Sequence, residues 1–328
     1  EMQRSLVGSE MCIRDSSLAY TSPRKKVGIV LSGGGAKGVA HIGVIKALEE
    51  LNIPIDYIAG TSIGAIIGGL YSIGYTSEQL ETIVKQTDWI NLLTDKVSRE
   101  KIPFPFKSND SKYLVSFPFN NSKKNGGIIK GKNISQLLHQ LTEGYQNVTN
   151  FDSLPIPFAC IATDMARNQK EVIRFGKLSE AMRASMAVPI VFSPIYSGQK
   201  VLIDGGFKDN LPIDVVKAMG ADIIIGIDVQ SELSDADNLH SIAGIANQLM
   251  LMICQSSLDG STKDIDAYVK VDVENYNAAS FTKAAIDTLI IRGENAAKAN
   301  YNTLLSIKNR ICLLSTSPSP RDYAASRM

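Results

Sequence analysis

The sequence predicts an α/β protein: a three-layer α/β/α sandwich with a mostly parallel central sheet. Two observations carry that expectation. Short apolar runs of strand length alternate with stretches whose apolar residues recur at helical spacing. The strand-like runs are apolar at consecutive rather than alternate positions, the pattern of strands covered by helices on both faces. Composition agrees, since 44% hydrophobic and 20% charged residues in a chain of 328 exclude wholesale disorder, collagen and coiled coil.

In chain order, Val27 to Leu31 is a compact apolar run that stops at Ser32-Gly33-Gly34-Gly35. A helix is expected from Val39 to Leu51, with Val39, Ile42, Ile45 and Leu48 on its stripe. Ile58-Ala59 marks a second short strand, and Ile63 to Ile73 a very apolar, buried helix. Strands follow at Phe158 to Thr163, Val172 to Phe175, Val201 to Ile203 and Ile223 to Asp228. Helices follow near Ser179 to Ala187, Ile213 to Met219, Ile242 to Leu258 and Lys283 to Asn300. No apolar run approaches the ~18 residues of a membrane-spanning helix.

The ends read differently. Arg4 to Ser16 and Cys312 to Asp322 show neither periodicity and resemble translated sequencing-adapter sequence. The expected organisation is therefore such sequence plus a leader or linker over 1–23, one folded domain over 24–305, and linker plus adapter-like sequence over 306–328. Cys160 and Cys254 remain, in apolar settings that suggest reduced core thiols. Four scattered cysteines make neither a disulfide framework nor a zinc site, so no metal is expected.

Thirty-four basic and 33 acidic residues leave a net charge of +1, with no global pull toward nucleic acid. Charge is nevertheless uneven. Arg99 to Lys132 holds eight Lys/Arg, two Asp/Glu and the aromatics Phe104, Phe106, Tyr113, Phe117 and Phe119. This segment suits peripheral contact with an anionic membrane, where each basic residue contributes ~1 kcal/mol. A solvated hairpin or cap whose aromatics pack inward is the plainer reading and is preferred to it.

Three motifs carry chemistry. Gly33-Gly34-Gly35-Ala36-Lys37-Gly38 lies between a strand and a helix, where glycines let backbone amides converge beside a helix N-terminus. That makes an anion site. It fits a dinucleotide fingerprint with Asp56 as the ribose contact, although Asp56 precedes the second strand rather than ending it. A β-branched residue at Gly34 or Gly35 is expected to cost activity far more than stability. Gly60-Thr61-Ser62-Ile63-Gly64 has the form of a nucleophile elbow, with Ser62 lifted above the sheet edge. Its alternative is a serine N-cap. Asp204-Gly205-Gly206 ends a strand, as a closely approachable carboxylate or as an ordinary turn.

Together, in this order and with Arg183-Ala184-Ser185-Met186-Ala187-Val188-Pro189 between the second and third, these motifs resemble the patatin-like phospholipases from about Val27 to Gly293. The resemblance implies a parallel-rich sheet between helices and acyl-ester hydrolysis of a lipid or phospholipid, without cofactor or metal. It implies Ser62 as nucleophile and Asp204 as general base. The oxyanion hole would come from the loop of Gly33, Gly34, Gly35, Lys37 and Gly38, chiefly its first three residues, with Gly60, Gly64, Gly205 and Gly206 shaping the turns. A Ser-Asp-His triad is the competing mechanism: His41 and His139 fall on helix-like stretches, and His240 lies in a polar stretch after Asp204. Some bacterial relatives carry a signal peptide ahead of the domain and an outer-membrane barrel after it, which favours the bacterial cell envelope over the cytoplasm. Oligomeric state is left open.

Overall fold

The computed structural model describes residues 24–95, 127–233, 248–249, 251–254 and 264–312. The elements in chain order are β1 (Val27–Leu31), α1 (Ala40–Glu50), β2 (Tyr57–Thr61), α2 (Ile63–Ser72), α3 (Ser77–Gln86), α4 (Trp89–Leu93), β3 (Gly127–Ile129) and α5 (Lys132–Leu141). They continue with β4 (Phe158–Asp164), β5 (Gln169–Ile173), α6 (Leu178–Ser185), β6 (Ile190–Phe192), β7 (Ile195–Ser197) and β8 (Lys200–Asp204). Then come α7 (Ile213–Met219), β9 (Ile223–Asp228), β10 (Ala267–Lys270), α8 (Lys283–Ala299) and α9 (Tyr301–Cys312).

The main sheet runs β10-β9-β1-β2-β4-β8-β7, with β5 also on β4. Pairings from β10 through β4 are parallel, and those of β4 with β5 and β8, and of β8 with β7, are antiparallel. The expected parallel sheet thus has an antiparallel margin, and Asp204 stands on it. A separate parallel pair joins β3 to β6.

All five residues of β1 are buried, because alternate residues face different helical layers. Val27, Ile29 and Leu31 join the larger core with α1, α2 and α8. Val30 faces Ile213 and Val216 of α7. Gly28 lets α7 close on the sheet, since a Cβ there would stand 2.0 Å from Val216 Cγ1.

Beneath the sheet, at the amino ends of β1 and β2, Arg24 forks onto Asp56 with two bonds of 2.6 Å. Asp56 also accepts the Val27 amide at 2.9 Å. Lys26 also reaches Asp56 Oδ1 at 3.3 Å, but Arg24 and Asp56 are both buried, so losing Asp56 would leave the Arg24 guanidinium buried without its carboxylate, at a cost of about 3–5 kcal/mol. Asp56 is consequently a structural ion-pair partner at the opposite end of β1 from the glycine loop, which agrees with the objection its position before β2 raised to a ribose-binding role.

Other boundaries moved modestly. The glycine loop winds into a 3-10 turn over Gly35–Val39 before α1 begins. Past the expected boundary at 305, α9 continues to Cys312, with Leu304, Ile307 and Ile311 buried along one face. Cys312 is the last residue of this helix. Residues 1–23 and 313–328, most of the basic stretch and His240 lie outside the described residues.

Candidate active site

Ser62 sits between β2 and α2 at φ +56°, ψ −122°, a backbone conformation that a side chain adopts only under constraint. The flanking glycines supply the room. A Cβ on Gly60 would stand 2.4 Å from Gly64 O, and one on Gly64 2.3 Å from Leu31 O. The Ser62 side chain makes no capping bond to α2, so the N-cap alternative is set aside. Its amide donates instead to Ser185 Oγ at 2.9 Å, and Ser185 donates in turn to Ile161 O at 2.5 Å.

Asp204 ends β8, and the register explains its position. Along β4, Ile161 lies opposite Thr61 and the next residue, Ala162, lies opposite Asp204. The strand ends carrying the serine and the aspartate are thus one residue apart on a shared neighbour. Gly205 presses on that neighbour, with its Cβ position 2.3 Å from Ile161 O.

Asp204 is 1% exposed and Ser62 8%. The Gly206 amide donates to Asp204 Oδ1 at 2.8 Å, so the turn reading of this motif holds alongside the functional one. Oδ2 is buried and, among the described residues, makes no hydrogen bond of ordinary geometry. Burial pushes the Asp204 carboxyl up to about 6, while the nearby Ser62 hydroxyl and the Gly206 amide hold it lower than burial alone would.

The glycine loop lies against the serine, for a Cβ on Gly33 would stand 3.1 Å from Ser62 Cβ. Its residues divide. The Gly33 amide is committed to Asn210, shared between Oδ1 at 3.2 Å and the backbone oxygen at 3.4 Å. Ala36 donates to Ala278 O at 2.9 Å. Among the described residues, the amides of Gly34 and Gly35 meet no acceptor and are the unspent donors of the loop. Lys37 is buried, bonds Ser231 Oγ at 2.7 Å, and is lowered to about 8 by burial and by Lys270. Gly38 packs on Ile63, its Cβ position 2.0 Å from Ile63 Cγ2.

Two residues were missed as site builders. Ser185 lies within the segment that carried part of the resemblance, yet it was assigned no role. A lone hydroxyl among Ala184, Met186 and Ala187 was the available signal. Asn210 follows Asp204 by six residues and is buried; its signal was an amide side chain just before the apolar start of a helix. Neither described histidine faces the dyad as a bonded base. His41 Nε2 bonds Ser32 O at 2.9 Å, and burial lowers its pKa to about 4. His139 is exposed beside Gln146. Among the described residues, no group of three His, Cys, Asp or Glu is arranged to hold a metal, and no helix is long and apolar enough to cross a membrane.

The sequence profile of patatin-like phospholipase matches residues 29–217, more than half of the chain. The chain belongs to the patatin-like phospholipase family. Its relatives include lysophospholipase NTE1 of Mycosarcoma maydis, 29% identical over 296 residues, covering 83% of this chain and 14% of that protein. Lysophospholipase nte1 of Emericella nidulans is 34% identical over 207 residues, covering 63% of this chain and 12% of its own length. A patatin-like phospholipase domain-containing protein of Caenorhabditis elegans is 34% identical over 218 residues, 66% of this chain and 14% of that one. The chain thus spans about a seventh or less of the curated relatives it matches. Those relatives are fungal and nematode, and they lend no support to the bacterial envelope placement expected from the sequence. Among solved structures, VipD from Legionella pneumophila overlaps 88% of this chain and 68% of its own, at TM-score 0.49 and 16% identity.

Proposed function

We propose that this patatin-family domain is a serine acyl-ester hydrolase of the phospholipase A or lysophospholipase type, acting through Ser62 and Asp204. The observation that carries the reading is the Asp204 carboxylate: buried, raised toward neutrality and beside the elbow serine, with one oxygen bound by Gly206 and the other unspent. A carboxylate near pKa 6 is a competent base at neutral pH, which a solvated aspartate near 3.9 is not.

Asp204 takes the Ser62 proton as Oγ attacks the ester carbonyl carbon. The carbonyl electron pair moves to oxygen, and the amides of Gly34 and Gly35 receive that oxyanion, a donor of this kind contributing ~10²–10³ in rate. Collapse expels the alcohol, which leaves with the proton held by Asp204. Water then gives its proton to Asp204 and attacks the acyl-Ser62 ester, the tetrahedral intermediate collapses, and Ser62 recovers a proton as the fatty acid departs. The commitment of His41 to Ser32 and the exposed position of His139 weigh against a triad built on either of them, and the position of Asp56 weighs against nucleotide binding. The family's lipid substrates also support membrane-surface contact by the +6 segment from Arg99 to Lys132.

The test is labelling and turnover. An organophosphonate probe should modify Ser62, and Ser62→Ala should abolish hydrolysis of p-nitrophenyl butyrate in folded protein. Turnover retained near wild type, or labelling of Ser185 instead, would reject the assignment. For the membrane contact, charge reversal at Lys107, Lys112, Lys123 and Lys124 should weaken sedimentation with anionic vesicles, most at low salt.

A further inference from the structure

The main chain of Asp209 is where the three motif segments meet. Its carbonyl oxygen accepts the hydroxyl of Thr61, the residue before Ser62, at 2.8 Å. Its amide donates at 2.9 Å to the carbonyl oxygen of Gly205, the residue after Asp204. The next residue, Asn210, takes the Gly33 amide of the glycine loop. The Asp209 side chain is tied elsewhere. Lys170 of β5 bonds its Oδ2 at 3.0 Å and, with the same ammonium, Oδ2 of Asp214 in the first turn of α7 at 2.6 Å. Lys170 itself pairs with Thr163 of β4. One cation thus fastens the stretch from Asp209 to α7 onto the β4–β5 hairpin.

We propose that Lys170 is a positioning residue for the hydrolysis: its ammonium holds Asp209, and through the Asp209 main chain and Asn210 it sets the glycine loop and the Ser62 elbow against each other. The proposal rests on the reading of Ser62 and Asp204 as the dyad. Lys170 bonds Asp209 and Asp214, neither of which is a member of that dyad.

Charge is the property that matters here. Asp209 is buried. Burial pushes its carboxyl up, the Lys170 ammonium pulls it back, and Asp214 raises it again as a second carboxylate within bonding reach. Among the described residues, Lys170 and Asp214 are the charged groups that act on it. Without the ammonium, a buried carboxylate would face a like charge and no cation. It would then either take up a proton or move toward water. Movement would carry with it the backbone that bonds Thr61 and Gly205 and leads into Asn210. A displacement of ~1 Å, remote from the chemistry, can cost ~10²-fold in rate.

Steady-state hydrolysis of p-nitrophenyl butyrate by the full chain tests the role, with circular dichroism on each preparation. At pH 8, Lys170→Met should lower kcat about tenfold or more while KM stays within about twofold. Lys170→Arg, which keeps the charge, should stay within about threefold of wild type. Lys170→Met combined with Asp209→Asn should recover most of the loss, because an uncharged amide can donate to Asp214 where two carboxylates would repel. The deficit of Lys170→Met against wild type should also narrow as pH falls from 9 to 5, since a protonated Asp209 needs no cation. A deficit of equal size at every pH, or a double variant no better than the single one, would reduce Lys170 to packing and overturn the proposal. Wild-type kcat in Lys170→Met would do the same. Should Lys170→Met fail to fold, Lys170→Gln, which keeps a donor without the charge, is read in its place. An inactive Ser62→Ala beside an unimpaired Lys170→Met would sink the positioning role and leave the hydrolase reading intact. Turnover near wild type in Ser62→Ala would instead remove the dyad on which the role rests.

Discussion

Ser185 holds the backbone of Ser62: its hydroxyl oxygen accepts the Ser62 amide at 2.9 Å while its proton goes to Ile161 O. One side chain from α6 thereby ties the elbow to β4. Ser185→Ala should leave the Ser62 amide buried without an acceptor, costing about 1–3 kcal/mol of stability. The strained elbow should also relax, lowering kcat on a soluble ester about tenfold. Denaturant unfolding and steady-state kinetics on one preparation check both, and normal values for both would remove Ser185 from the site.

Asp204 couples activity to stability through pH. Its carboxyl titrates near 6 in the folded protein against 3.8 when unperturbed. Below about pH 4 both folded and unfolded forms are protonated and the group contributes nothing. Between about pH 4 and 6 the unfolded chain loses this proton while the folded protein keeps it, and the resulting penalty of about 3 kcal/mol is complete above 6, where the folded protein carries the buried charge. Asp204→Asn should therefore raise the melting temperature at pH 8, have little effect at pH 4, and reduce activity nearly as far as Ser62→Ala. In the wild type, kcat/KM should climb with pH along a limb centred near 6.

Asn210 anchors Gly33 and shares a neighbourhood with the base. The Cβ position of Gly206 stands 2.9 Å from Asn210 Oδ1 and 3.1 Å from Asp204 Oδ1. Asn210→Ala should loosen the glycine loop, lowering kcat by up to ~10²-fold, the order lost when an oxyanion donor is misplaced. Asn210→Asp should move the acidic limb above 6, because a second carboxylate disfavours ionisation of the first. An unmoved limb in folded Asn210→Asp would show that the two carboxyls do not interact.

A dyad makes the histidines dispensable for chemistry. His139→Ala and His240→Ala should stay near wild-type turnover. His41→Gln should retain most activity, since His41 supports Ser32 and, with its pKa near 4, does not account for a limb near 6. Collapse of turnover in any one of the three, with circular dichroism showing an intact fold, would replace the dyad by a triad.

The three motifs were legible because each is local: glycines beside a strand end announce a backbone contact within a few residues. What joins the motifs was not. Ser185 reaches Ser62 across 123 residues and Asn210 reaches Gly33 across 177, pairings that no periodicity encodes. The antiparallel margin escaped notice because β7 and β8 are short and joined through Gly198, at φ +57°. The hairpin signal there was Ser197-Gly198-Gln199. The expectation for the loop glycines also changes. Gly35 adopts φ +60° and its Cβ position lies 2.6 Å from Ala278, so a side chain there should cost stability as well as activity.

The shared register on β4 makes the distance between nucleophile and base a discrete quantity. Strand pairing moves in whole residues, and a slip of one turns every side chain to the other face. The separation of Ser62 from Asp204 therefore cannot drift gradually as the molecule warms or as its surface is altered. The site should persist until β2, β4 and β8 part together, and heating should end catalysis in the same cooperative step that melts the sheet.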